Sequence, residues 1–172
     1  MSGSKKPIPK IAWDSCIFLA WFKKETDKPL DTIRLFIEEI EKGNLALYVS
    51  AVSYAEVLDT SQSSDAGTRF RQFMDRSNVV TLDVDRRVAE EAAKIRQDSI
   101  RANKLNGNSP KLKAPDALIA ATCVIYRVKE LHSFDRDLLA YNNHPVVSKL
   151  SVIKPHGGEG DRSLFEGVEH GE

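Results

Sequence analysis

Apolar positions along this chain follow two periods, and the two alternate. Short runs at 11–13, 45–50, 79–84 and 130–133 read as buried strands, with 151–153 as a fifth. Between them, stripes at helical spacing predict helices. Leu30, Ile33, Ile37 and Ile40 form one such stripe over 30–42, which Gly43 stops. Further helices are expected from Asp14 through Phe22, from near Ser53, over 65–76, over 85–103 behind an Asp85 cap, and over 135–141. The segment 115–126 carries Pro115 in its first turn and is apolar nearly all round, so it is expected to be a buried helix. Residues 104–113 form a loop by composition. The alternation predicts an α/β fold on a parallel sheet. It occupies 10–155, with 1–9 a flexible leader and 156–172 an acidic, disordered tail.

This topology gathers acids. In an open parallel sheet, connecting helices start over the carboxyl edge of the strands, where such folds place their sites. Asp14 follows the first strand, Glu56 the second and Asp135 the fourth, with Asp137 beside it. The helix feeding the fourth strand starts at the same edge and carries Asp116. Four carboxylates on one rim repel one another unless a hard cation neutralises them, and hard cations take oxygen ligands. The expected chemistry is Mg²⁺- or Mn²⁺-dependent cleavage of a phosphodiester. Crowding also predicts that Asp14→Asn or Asp116→Asn would make the metal-free protein more heat-resistant.

Each acid alone has a second reading. Ser53-Tyr54-Ala55-Glu56 has the capping-box pattern, in which Glu56 turns back to its own helix start. Asp116 after Pro115 suits a helix dipole, Asp14 suits an N-cap, and Asp135 and Asp137 with Arg136 could form a solvated acidic turn. His132, on a strand beside Leu131, reads as structural, which favours a metal-bound hydroxide over a His-activated water. Lys111, Lys113 and Arg136 are the candidate phosphate contacts. Trp13, Phe18, Trp21 and Phe22 read as core or as an association surface.

Charge changes little. Lys plus Arg equals Asp plus Glu at 25 each in 172 residues, and removing the acidic tail leaves a body of about +4. That suits a phosphate-bearing substrate without requiring one. Cys16 and Cys123 lie in apolar stretches and read as buried, reduced thiols. Asp14 and the early prolines argue against a signal peptide, and no stretch has transmembrane length, so a cytoplasmic protein is expected.

The order of short motifs resembles the PIN-domain nucleases, especially the VapC-type toxin ribonucleases. Asp14-Ser15 follows a hydrophobic strand, and Ser53-x-x-Glu56 opens a helix. Pro115-Asp116-Ala117-Leu118-Ile119-Ala120-Ala121 comes next, and Ser133-Phe134-Asp135-Arg136-Asp137-Leu138 closes the set. The resemblance implies a three-layer α/β/α sandwich with a mainly parallel sheet, acting as a metal-dependent endoribonuclease. It makes Asp14, Glu56, Asp116 and Asp135 the metal-binding acids, with Ser15, Ser133 and Asp137 in support. It also implies a homodimer and a small antitoxin partner. Cys16 departs from the pattern, since the family often has Asn there, and Leu138 stands where Phe is common. A housekeeping RNA-processing nuclease and an inactive RNA- or protein-binding scaffold are the alternatives within the fold. A phospho-accepting receiver would explain Asp83 at the end of the third strand, but the first strand lacks the acidic pair it needs.

Overall fold

The computed structural model of the chain describes residues 7–61 and 65–156. The start of the expected leader and all of the expected tail beyond His156 lie outside these residues. Five strands, β1 (Lys10–Trp13), β2 (Ala46–Ser50), β3 (Val79–Leu82), β4 (Glu130–His132) and β5 (Ser151–Ile153), pair in parallel throughout, in the order β3-β2-β1-β4-β5. The helices are α1 (Ser15–Lys23), α2 (Leu30–Glu41), α3 (Ala51–Ser61), α4 (Asp65–Met74), α5 (Arg86–Asn106), α6 (Ala114–Ile125) and α7 (Arg136–Leu139).

Strand alternation makes the sandwich. Ile11 and Trp13 of β1, with Leu47 and Val49 of β2, join one core with Ile17, Phe18, Ile33, Phe36, Val57 and Phe70 from α1 to α4. Ala12 points the other way, into a second core with Val88, Ala92 and Ile95 of α5, Ile119 and Cys123 of α6, and Leu138 and Tyr141 beyond β4. Successive side chains on a strand face opposite sides, so a single strand serves both cores. Each fully buried side chain of this size contributes about 1.5–3 kcal/mol of transfer free energy.

Local signals explain most boundaries. Gly43, at φ +78°, ends the second helix in the left-handed region that glycine enters without strain. Asp85 caps α5 by accepting the Val88 amide, and the helix runs to Asn106, where Gly107 stops it, three residues beyond the expected end. Of the predicted stripe on α2, Ile33 and Ile40 are buried with Phe36, while Leu30 and Ile37 sit half-exposed at its edge.

Chain order decides where a site can form. The path steps from β1 to β2 to β3, then crosses the other face under α5 and α6 to place β4 on the opposite side of β1. The reversal lies between β1 and β4, and in such sheets the crevice opens there, past the carboxyl ends of the strands. Trp13 and His132 are in register across it, so Asp14 and Ser133 come next on either side.

Candidate active site

Asp14 is the best-anchored acid. It is 5% exposed. Its amide donates to the His132 carbonyl at 3.0 Å, which extends the β1–β4 pairing by one residue. Its Oδ1 accepts from the Ser15 amide at 2.7 Å and from Ser15 Oγ at 3.3 Å, capping α1. Its Oδ2 accepts from Ser133 Oγ at 2.7 Å and from Cys16 Sγ at 3.3 Å. Ser133 Oγ in turn accepts the Asp135 amide at 2.9 Å. One hydroxyl thus fastens the start of α1 to the turn that follows β4.

Asp135 caps the four-residue α7, its Oδ1 accepting from the Asp137 and Leu138 amides at 2.7 and 3.2 Å. Asp137 is half-buried, and Arg136 is exposed. For Asp14 and Asp135 the capping reading is therefore correct, and it does not compete with a ligand reading. In each, the backbone amides of the helix start bind Oδ1 alone, and Asp14 Oδ2 is bound instead by the Ser133 hydroxyl and the Cys16 thiol.

Asp116 differs. It sits in the first turn of α6, half-buried, and its Oδ2 is buried without a hydrogen-bond partner among the described residues. Burial, then the negative charge of Asp135, then that of Asp14, push its pKa up to about 6, while the amide and charge of Lys113 act the other way. At an orphaned carboxylate oxygen that feels two other carboxylates, a cation would relieve the repulsion.

Glu56 lies elsewhere than the capping-box reading requires. The helix begins at Ala51, directly after β2, and Ser50 Oγ accepts the Val52 amide at 3.3 Å. Glu56 is therefore in the second turn, too far in to cap, and the Ser53 hydroxyl is buried without a partner. Its side chain is half-buried and takes no part in the network joining Asp14, Ser133 and Asp135. Lys111 and Lys113 are exposed on the approach to α6.

His132 is structural, as its strand position suggests. It is fully buried, accepts the Trp13 indole N–H on Nδ1 at 3.2 Å, and meets Glu130 Oε1 through Nε2 at 2.7 Å. Indole nitrogen only donates, so Nδ1 is unprotonated and Nε2 carries the proton. The apolar stretches around Cys16 and Cys123 predict two buried, reduced thiols, and both are free. Cys123 is fully packed in the core, whereas Cys16 is half-buried at the rim. Burial and then the Asp14 charge push the Cys16 thiol up to about 12, so it stays protonated. The one sequence signal for this placement was Cys16 in a position where Asn is usual.

Among the described residues, no three His, Cys, Asp or Glu side chains are grouped closely enough to enclose a metal ion. The donor set nevertheless fits one kind of cation. Mg²⁺ keeps several waters and binds through one or two carboxylates, a demand that the all-oxygen rim meets. Asp116 and Asp135 would hold it, beside Asp14.

A groove of about 560 Å³ opens on the α1, α2 and α4 side, away from the acids. Trp21, Phe22, Leu30, Ile37 and Phe73 supply apolar lining, and Trp13 and Phe18, both fully buried, close the floor. Lys24, Arg34, Arg69 and Arg76 stand around it, against Glu41, which pairs with Arg76 at 2.6 Å. Phe36 of α2 is buried in the core and does not line the groove.

The PIN domain family model matches residues 11–143. No curated protein matches the chain in sequence. Among solved structures, a toxin–antitoxin complex from Klebsiella pneumoniae is 19% identical, with a TM-score of 0.58 over 86% of this chain and 99% of that one. FitAcB from Neisseria gonorrhoeae is 17% identical, with a TM-score of 0.54 over 84% and 97%. VapC20 of Mycobacterium tuberculosis, a Sarcin-Ricin loop cleaving toxin, is 16% identical, with a TM-score of 0.52 over 76% and 93%.

Proposed function

Because this chain belongs to the PIN domain family, we propose that it is a divalent-metal-dependent endoribonuclease cutting single-stranded or structured RNA. The observation that carries this reading is the buried, unpartnered Oδ2 of Asp116 in the field of Asp135 and Asp14. A cation relieves that repulsion and, when bound, supplies a water acidified enough to attack phosphorus together with charge stabilisation for the leaving oxygen. The protein's own residues do the rest. Asp116 and Asp135 would hold the cation beside Asp14, and Ser133 keeps Asp14 in place. Ser15 and Asp137 support the two helix starts, and Glu56 completes the acidic set. Lys111, Lys113 and Arg136 meet the phosphates flanking the scissile bond. Incubating the protein with total RNA and Mn²⁺ should generate new ends at discrete positions. Excess EDTA should abolish them, and undiminished cleavage in EDTA would overturn the mechanism.

We further propose that the protein is the toxin of a toxin–antitoxin pair, the arrangement named for the Klebsiella complex. The groove supports an inhibitory partner of definite character: an amphipathic helix whose apolar face meets Trp21, Phe22 and Ile37 and whose flanks carry acids toward Lys24, Arg34 and Arg69. A basic side chain following that helix could then reach the acidic rim and replace the cation. Expression alone should arrest growth, and co-expression of a neighbouring small reading frame should rescue it and yield a stable complex. No growth defect and no bound neighbour would point instead to an RNA-processing nuclease. Among the described residues no helix is long and apolar enough to cross a membrane.

A further inference from the structure

The Cys16 thiol spans the reversal point of the sheet. It lies in the first turn of α1, yet its sulfur accepts the Phe134 amide at 3.1 Å, beyond β4. The same sulfur lies 3.3 Å from Asp14 Oδ2, to which only the S–H can donate, and 3.5 Å from Ser133 Oγ. Ser133 makes the parallel connection, accepting the Asp135 amide and donating to the same Oδ2. Two adjacent amides after β4, those of Phe134 and Asp135, are thus each relayed through one side chain onto one carboxylate oxygen. With both relays in place, Asp14 Oδ2 cannot swing out of its plane without breaking two hydrogen bonds.

We propose that Cys16 is a positioning residue of the nuclease centre, fixing Asp14 toward the cation side of the rim by carrying the Phe134 relay. The proposal rests on the metal-dependent reading above. A thiol suits the task sterically, because its longer bond to carbon lets one atom reach both strands' ends from the helix. Side chains that hold metal-site groups in place typically alter metal affinity or activity about 10–100-fold when removed. A thiol, being a weak donor, belongs at the lower end.

The test is Mn²⁺ binding to the metal-free protein, followed by calorimetry without RNA, alongside RNA cleavage. Cys16→Ala should weaken Mn²⁺ binding about tenfold and lower kcat at limiting Mn²⁺ while leaving KM for RNA unchanged. Raising Mn²⁺ should restore kcat. Cys16→Ser, which keeps a donor and an acceptor, should recover most of the affinity. Cys16→Val fills the space without a donor and serves if Cys16→Ala loses its cooperative melt. Wild-type affinity in the Ala or Val variant, or a Ser variant no better than Ala, would overturn the proposal. Wild-type protein that binds no Mn²⁺ would instead overturn the metal-dependent reading and this proposal with it.

Discussion

Asp116→Asn should abolish cleavage and raise the melting temperature of the metal-free protein at neutral pH. The carboxyl's pKa rises from 3.8 to about 6 on folding. Between those values the folded state holds a proton that the unfolded state has lost, so this group's contribution to stability falls as pH rises. Above about 6 the full cost is present. Two units correspond to about 3 kcal/mol, and solvent screening of a half-exposed group reduces this to about 1–2 kcal/mol. For a chain of this size that is roughly 2–8 °C. The gain should vanish as pH approaches 4, where both states are protonated. Saturating Mn²⁺ should reverse the order, because only the wild type has the full charge to bind it; a hundredfold excess over Kd is worth about 2.7 kcal/mol. Melting curves against pH, with and without Mn²⁺, check all three points. An Asn variant that cleaves RNA, or melts below wild type without metal, would contradict the assignment of Asp116.

Asp14→Asn should also abolish cleavage, but with the opposite effect on stability. The crowding argument from sequence treated the two acids alike, and the hydrogen bonds separate them. Asp14 is surrounded by donors: the Ser15 amide and hydroxyl on one oxygen, the Ser133 hydroxyl and Cys16 thiol on the other. A carboxylate accepts on both oxygens, whereas Asn must present an NH₂ group to one side. Turned toward Ser15, that group faces an amide which cannot reverse its polarity. Turned toward Ser133, it removes the acceptor that the Ser133 hydroxyl and the Cys16 thiol share. One buried donor is left unmatched either way, at a cost of about 2 kcal/mol, or roughly 4–8 °C. Differential scanning calorimetry of the two variants side by side decides the matter. A heat-resistant Asp14→Asn would mean that repulsion outweighs these four hydrogen bonds.

Much of this could be read from the residues because parallel sheets convert chain order into position. Strand and helix periods locate β1, β2 and β4, and once those are placed Asp14 and Asp135 must share an edge. What pattern reading could not resolve was whether an acid at a helix start is a cap or a ligand. Asp14 and Asp135 show why: a carboxylate has two oxygens, and capping engages one. Glu56 was ambiguous for a different reason. The capping box assumed a loop before Ser53, but β2 passes straight into α3, and only tertiary packing tells where such a helix begins. Apolar neighbours in sequence make Cys16 read as buried, yet its sulfur accepts an amide 118 residues away as well as facing Asp14. The apolar groove is likewise assembled from three helices, and none of their separate stripes announces it.

Synthesis order has a bearing on any cell that makes this protein. The Asp14–Ser133 bond joins residues 119 apart, so the catalytic rim cannot close until β4 has left the ribosome. Contacts of such long sequence separation are late events in folding, and a product truncated before Ser133 lacks the hydroxyl that fastens Asp14 to the turn after β4. The groove is different: its lining runs only from Trp13 to Arg76. A nascent chain of less than half the full length already encodes the whole of that surface. Under the proposed toxin reading, an inhibitor docking there would find its surface encoded and emerged before the acidic rim can close.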